Sequence, residues 1–135
     1  MESAYLIAET YKTSYKKLHV SEQQQVDCLY SNGCNGGWMM ESFKHAMKKG
    51  FKPAKKYPYV GYAQNCQKKK GKYKISSYYY SNNQDCNDVK SFLMQQPITV
   101  TVDATRWYDI GERIFSYYRT SWGRLNHAVL LTGFQ

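Results

Sequence analysis

Four cysteines and three histidines are the residues in this chain whose types could do covalent or metal chemistry: Cys28, Cys34, Cys66, Cys86, His19, His45 and His127. A thiolate attacks carbonyl carbon where a thiol does not, and an ordinary cysteine, with a pKa of about 8.5, needs a neighbouring cation to ionise at neutral pH. An imidazolium supplies that charge and then protonates the leaving amine. His127 stands in the block Asn126-His127-Ala128-Val129, at the head of an apolar run. On its own it reads first as a packed histidine in an apolar strand. No Cys-x-x-Cys pair is present, and the histidines do not sit at metal-ligand spacing from one another or from cysteine, so no metal site and no cofactor is expected. Four cysteines suggest disulfides only where the compartment is oxidising.

The elements that must position these residues follow from periodicity. Ala4, Ile7, Ala8 and Tyr11 recur at helical spacing and predict a helix over Glu2 to Tyr11. Ser21-Glu22-Gln23-Gln24 has Ser at N-cap and Gln at N3, a capping box that opens a short helix through Val26 and Cys28. Gly-rich 32–37 is a turn. Trp38 to Lys49 predicts an amphipathic helix with Met39, Phe43, Ala46 and Met47 on one face and Gly50 as its stop. Tyr57-Pro58-Tyr59 is extended, because the residue before proline avoids the helical region. Lys74 to Tyr80 is rich in β-formers. Val89 to Met94 predicts a short helix opened near Asn87 or Asp88, and Ile98 to Val102 and His127 to Phe134 predict strands. Helices first and strands later make an α+β chain, with a helical lobe over residues 1–80 and a β lobe over 81–135.

Composition sets outer bounds. The 135 residues are 42% hydrophobic, enough for a core, and no apolar run approaches the roughly 18 residues of a membrane span. Met1 to Thr10 has neither a basic n-region nor a small-residue cleavage site, so no signal peptide is expected within this sequence. Between Glu41 and Asp85 lie eleven lysines and no acidic residue. Such a run is either a solvated surface loop or a patch for an anionic partner, nucleic acid or an acidic surface. No nucleic-acid-binding motif accompanies it.

Several short motifs stand in one order: Ser21-Glu22-Gln23, Val26-Asp27-Cys28, Gly33-Cys34-Asn35-Gly36-Gly37, Tyr57-Pro58-Tyr59 followed by Cys66, Pro97-Ile98-Thr99-Val100 with Asp103-Ala104, and Asn126-His127-Ala128-Val129. In this order and register they resemble the papain-like, cathepsin-type cysteine peptidases across essentially the whole chain. The resemblance implies the two-lobed papain-like α+β fold and hydrolysis of peptide bonds, with peptide or protein in the cleft and a lysosomal, vacuolar or secreted setting. It implies that His127 is the catalytic histidine and that Cys28 pairs with Cys66. It implies further that the backbone of Gly36 and Gly37 pairs with an extended peptide, that Trp38, Met39, Thr101 and Ala128 line the main specificity pocket, and that Asn126 belongs to the substrate-binding set.

The departures imply as much. The family's nucleophilic cysteine would precede Met1, and its orienting asparagine would follow Gln135. Ser121-Trp122-Gly123 echoes the segment of that asparagine but precedes His127 and lacks the Asn. Cys34 and Cys86 are expected unpaired, neither replacing the nucleophile. The chain alone is therefore expected to be inactive, with its ends covered by another protein chain. The alternative is a non-catalytic structural or interaction subunit of a larger assembly.

Overall fold

The computed structural model describes residue 12 and residues 18–29, 33–67, 70–82, 85–109, 111, 114–115 and 125–134. The helix expected over Glu2 to Tyr11 and the Ser121-Trp122-Gly123 segment lie outside the described residues. The chain divides into two compact units, Met1–Asn82 and Asn83–Gln135.

In the first unit, helix α1 spans Glu22–Cys28 and α2 spans Met39–Lys48, with single 3₁₀ turns at Gly33–Asn35 and Ala54–Lys56. Ser21 caps α1 as its sequence predicts, its Oγ accepting from the Gln24 N–H at 2.9 Å. The capping box is only half made. Gln24 sends its side chain away from the cap, where Oε1 accepts from Lys52 N at 2.8 Å, and the Ser21 N–H donates to the Lys52 carbonyl at 2.8 Å. Helix α2 ends where Gly50 takes φ +75°, a left-handed value that few other residues accept, and the N–H groups of Lys49 and Gly50 both donate to the His45 carbonyl.

The core of this unit is Leu18, Val20, Phe43, Ala46, Phe51 and Ile75, with Met39, Tyr73 and Tyr78 packed against it. One expectation is corrected here. Met47 is exposed, and His45 takes the inner position instead, its ring stacked on Phe51 at 5.7 Å. Phe43, His45 and Ala46 turn the buried arc toward Phe51, away from Met47. Three polar residues, Ser21, Gln23 and Gln24, are fully buried. The β-formers over 74–80 make no ladder among the described residues. Their neighbour Tyr73 forms an isolated bridge with Phe51.

In the second unit, α3 spans Cys86–Leu93, β1 spans Ile98–Val102, a 3₁₀ turn covers Trp107–Asp109 and β2 spans His127–Leu131. Helix α3 opens earlier than the apolar pattern predicts, because Asp85 is its N-cap, with Oδ1 accepting from Asn87 N at 2.8 Å. β1 keeps its predicted bounds, and β2 stops at Leu131, short of Phe134. The two strands pair antiparallel, with Thr101 opposite Ala128 and Val102 opposite His127.

Candidate active site

Each unit carries its own part of the expected site. In the first, Gly33–Asn35 and the two glycines after it form an exposed turn leading into α2. Gly36 has φ +98°, and a Cβ there would meet nothing within 4 Å, so glycine is needed for the backbone angle and leaves the peptide groups open to solvent. Trp38 precedes α2 with extended backbone and stands 69% exposed, while Met39 is half-buried against the core.

Behind this turn lies a polar clamp. Gln23 Nε2 donates to Asp27 Oδ1 and to the Tyr62 carbonyl, both at 2.8 Å, and its Oε1 accepts from Val60 N at 3.0 Å. Asp27 also accepts from Gln64 N and from the Tyr57 hydroxyl, each at 2.8 Å. Cys28 is joined to Cys66, the pair that the resemblance implies. The helix bearing Gln23, Asp27 and Cys28 is thus tied to the loop 57–66 at several points. Gln23, Asp27 and Cys28 of the Ser-Glu-Gln and Val-Asp-Cys motifs are explained by these bonds. Sequence reasoning missed the roles of Gln23, Gln24 and Tyr57. The available signal was the run of three glutamines, Gln23 to Gln25, in a seven-residue helix.

In the second unit, His127 begins β2 and is exposed. The ring of Trp107 meets its imidazole edge-on, with centroids 5.8 Å apart and planes at 87°. Asn126 fixes the turn that carries Trp107. Its N–H donates to the Val102 carbonyl at 3.1 Å, its Oδ1 accepts from Ala104 N at 2.8 Å, and its Nδ2 donates to Thr105 Oγ1 at 2.9 Å. Thr105 in turn donates from its backbone and its hydroxyl to Asp103 Oδ1. Both ends of the Asn126 amide are therefore engaged within the protein. Trp107, absent from the sequence-based site, is the described neighbour that orients the imidazole.

Ala104, Thr105, Trp107, Tyr108, Asn126 and His127 line an open depression. Thr101 and Ala128 are direct cross-strand partners and share one face of the ladder. Side chains alternate along a strand, so His127 and its partner Val102 lie on the other face. The structure brings Thr101 and Ala128 together on one face of the ladder and His127 onto the other, while Asn126, just before β2, lines the depression beside His127. Cys34 and Cys86 are free and exposed, and no hydrogen bond joins Cys86 to His127. Among the described residues no three His, Cys, Asp or Glu side chains are grouped to hold a metal ion, and no helix is long and apolar enough to cross a membrane.

With this geometry in hand, the comparisons with known proteins define a class. The profile of the papain family of cysteine proteases matches residues 1–135. This chain belongs to that family. It is 34% identical over 122 residues to a putative cathepsin L 3 of Paramecium tetraurelia, covering 89% of this chain and 39% of that protein. It is 36% identical over 124 residues to human cathepsin O, covering 85% of this chain and 38% of that protein. The solved structure of the bromelain protease from Ananas comosus in complex with the E64 inhibitor superposes with a TM-score of 0.73 at 28% identity, over 96% of this chain and 64% of the bromelain chain. The fold is papain-like α+β, and this chain spans about two fifths of the length of these curated relatives.

Proposed function

We propose that this chain contributes the imidazole and part of the substrate wall of a papain-type cysteine peptidase, and that by itself it does not hydrolyse peptides. The observation that carries the reading is His127 at the head of β2, held edge-on to Trp107 over an open depression while Asn126 braces the turn behind it. In this reading His127 stabilises a thiolate and then protonates the leaving amine. The backbone of Gly36 and Gly37 pairs with an extended peptide as an added strand, and Trp38 and Met39 in the first unit and Thr101 and Ala128 in the second are the residues that the family resemblance gives to side-chain recognition. Asn126 enters the substrate-binding set through its backbone carbonyl, since its N–H and its side-chain amide are engaged.

No residue of this sequence matches the family's nucleophilic cysteine or its orienting asparagine. Loss of the nucleophile alone costs about six powers of ten in turnover. The purified chain incubated with a fluorogenic peptide and with E64 tests this. Neither turnover nor an adduct on Cys34 or Cys86 is expected. Adding a polypeptide that carries the family's nucleophile segment should restore hydrolysis that His127→Ala abolishes. Turnover by the chain alone, lost in His127→Ala, overturns the claim of inactivity.

A second reading, a non-catalytic interaction subunit covered by another chain, is favoured by the surface of the second unit. There Met94, Leu125 and Phe134 are 76%, 60% and 48% exposed beside a sheet that has only two strands among the described residues. Exposed apolar groups and open strand edges are pairing sites. Light scattering distinguishes this reading, which requires an assembly, from a chain that stays monomeric.

A further inference from the structure

Two groups of the described lysines between Glu41 and Asp85 are brought together by the fold of the first unit. Residues 70–75 run extended against residues 49–52. Phe51 and Tyr73 exchange both backbone hydrogen bonds at 2.7 and 3.0 Å, and Gly71 N donates to the Lys49 carbonyl at 2.9 Å. The approach is close enough to require glycine on both sides. A Cβ on Gly71 would lie 2.1 Å from the Phe51 carbonyl carbon, and one on Gly50 would lie 2.9 Å from Lys74 Cγ. Lysines from both segments are thereby brought onto one region of surface.

Their side chains are sorted by the pleat. Gly71, Tyr73 and Ile75 turn inward, while Lys70, Lys72 and Lys74 are exposed. Alternate residues of an extended chain recur about every 6.6 Å, so the three lysines make a row of exposed cationic side chains, with the Lys72 ammonium lying over the Tyr73 ring at 5.5 Å. Helix α2 contributes exposed Lys44 and Lys48 to the same unit. Ordinary surfaces intersperse both signs of charge, but this stretch holds no acidic residue. The chain's arginines, Arg106, Arg113, Arg119 and Arg124, all lie in the other unit. Lysine is a point charge without the guanidinium fork, so such a row reads charge and spacing with little selectivity for a particular acceptor geometry.

Two exposed aromatic side chains follow the lysines along the chain. Tyr78 stacks inward on Phe43, with centroids 5.5 Å apart, and its successors Tyr79 and Tyr80 are left 76% and 54% exposed. A cationic row followed by exposed flat rings is the combination that binds single-stranded nucleic acid, the lysines following the phosphates and the rings stacking on bases. An acidic polypeptide or a lipid headgroup would use the lysines but offers no base to the tyrosines. We propose that the exposed segment from Lys70 to Tyr80 binds single-stranded nucleic acid without sequence preference, independently of the peptidase site.

Fluorescence anisotropy of a labelled oligothymidylate titrated with the full chain, between about 50 and 200 mM salt, tests the proposal. Affinity should fall linearly on a log–log plot against salt. Replacing Lys70, Lys72 and Lys74 together by Gln should flatten the slope by about 2, at roughly 0.7 for each phosphate no longer neutralised. Tyr79→Ala with Tyr80→Ala should weaken binding about fivefold or more at fixed salt and leave the slope unchanged. Circular dichroism and melting of each variant control for folding. If the triple variant does not fold, Lys70→Gln and Lys74→Gln singly should each flatten the slope by about 0.7. Absence of salt-dependent binding overturns the proposal. So does equal competition by heparin, polyglutamate or phosphatidylserine vesicles combined with no effect of the tyrosine substitutions.

Discussion

Asp27 accepts the Tyr57 hydroxyl at 2.8 Å, across thirty residues of sequence. Burial first, and then this hydrogen bond, push the Tyr57 hydroxyl above the usual tyrosine pKa, with the Gln67 N–H acting weakly in the other direction. The folded state thus favours the neutral phenol. Its contribution to stability is complete below about pH 10 and is lost as pH climbs beyond that value. Tyr57→Phe should cost about 1–3 kcal/mol at neutral pH, because it leaves a partly buried carboxylate oxygen without its donor. The variant should also lose less stability than the parent on going to higher pH. Urea melts across the alkaline range check both, and parallel alkaline limbs would refute the second.

His45 predicts the opposite limb. Burial, then the positive charge of Lys49, lower its pKa, against a backbone hydrogen bond with Gly50 that raises it. Its Nε2 is buried without a hydrogen-bond partner, and so is Oε2 of Glu41, one turn earlier on the same helix. The fold holds the imidazole neutral. Its contribution is present above about pH 6.5, where the unfolded histidine is also neutral, and is lost as pH falls and the unfolded chain takes up the proton. Thermal melts between neutral and mildly acid pH should show His45→Phe losing less stability than the parent.

The Cys28–Cys66 link closes a loop with a sequence separation of 38. In the chain-entropy account, a loop of that length contributes about 4 kcal/mol. Paired Cys28→Ser and Cys66→Ser substitutions should lower stability by that order in denaturant titrations. Non-reducing peptide mapping of the parent should recover the two cysteines in one linked pair, with Cys34 and Cys86 open to alkylation. A Cys28–Cys34 link would contradict the fold of the first unit.

Asn126→Ala removes two side-chain hydrogen bonds, worth about 0.5–1.5 kcal/mol each. It should also release the turn that sets Trp107 against His127. NMR resonances of the Trp107 indole and the His127 ring should both shift. Asn126→Asp keeps the acceptor for Ala104 N and loses the donor to Thr105, so an intermediate shift is expected. Unchanged resonances in both variants would show that the turn holds itself.

Much of this architecture was legible in the chain. Ser21 announced α1, the alternation Ile98-Val100-Val102 gave β1 its bounds, and the block around His127 located the candidate imidazole. The misses have physical causes. Helical periodicity ranks apolar residues inward and so preferred Met47, but the stack on Phe51 accommodates the flat ring of His45. The side-chain cap at Asp85 outweighs the apolar pattern that placed the start of α3 later. Over 74–80 the β-formers pack individually, Ile75 into the core and Tyr78 on Phe43, so propensity was satisfied without a ladder. Trp107 could not be foreseen because its tie to His127 passes through Asn126 and the backbone of Ala104.

The ladder register imposes a parity on this sequence. With Val102 opposite His127 and Thr101 opposite Ala128, gain or loss of one residue inside Ile98–Val102 would exchange the two faces, carrying the partner of the imidazole to the side now held by Thr101 and Ala128. Length changes in the connection between Asp103 and Asn126 leave that pairing alone. Insertions and deletions in descendants of this sequence should therefore accumulate in the connection and spare the strands, even where individual strand side chains have been replaced.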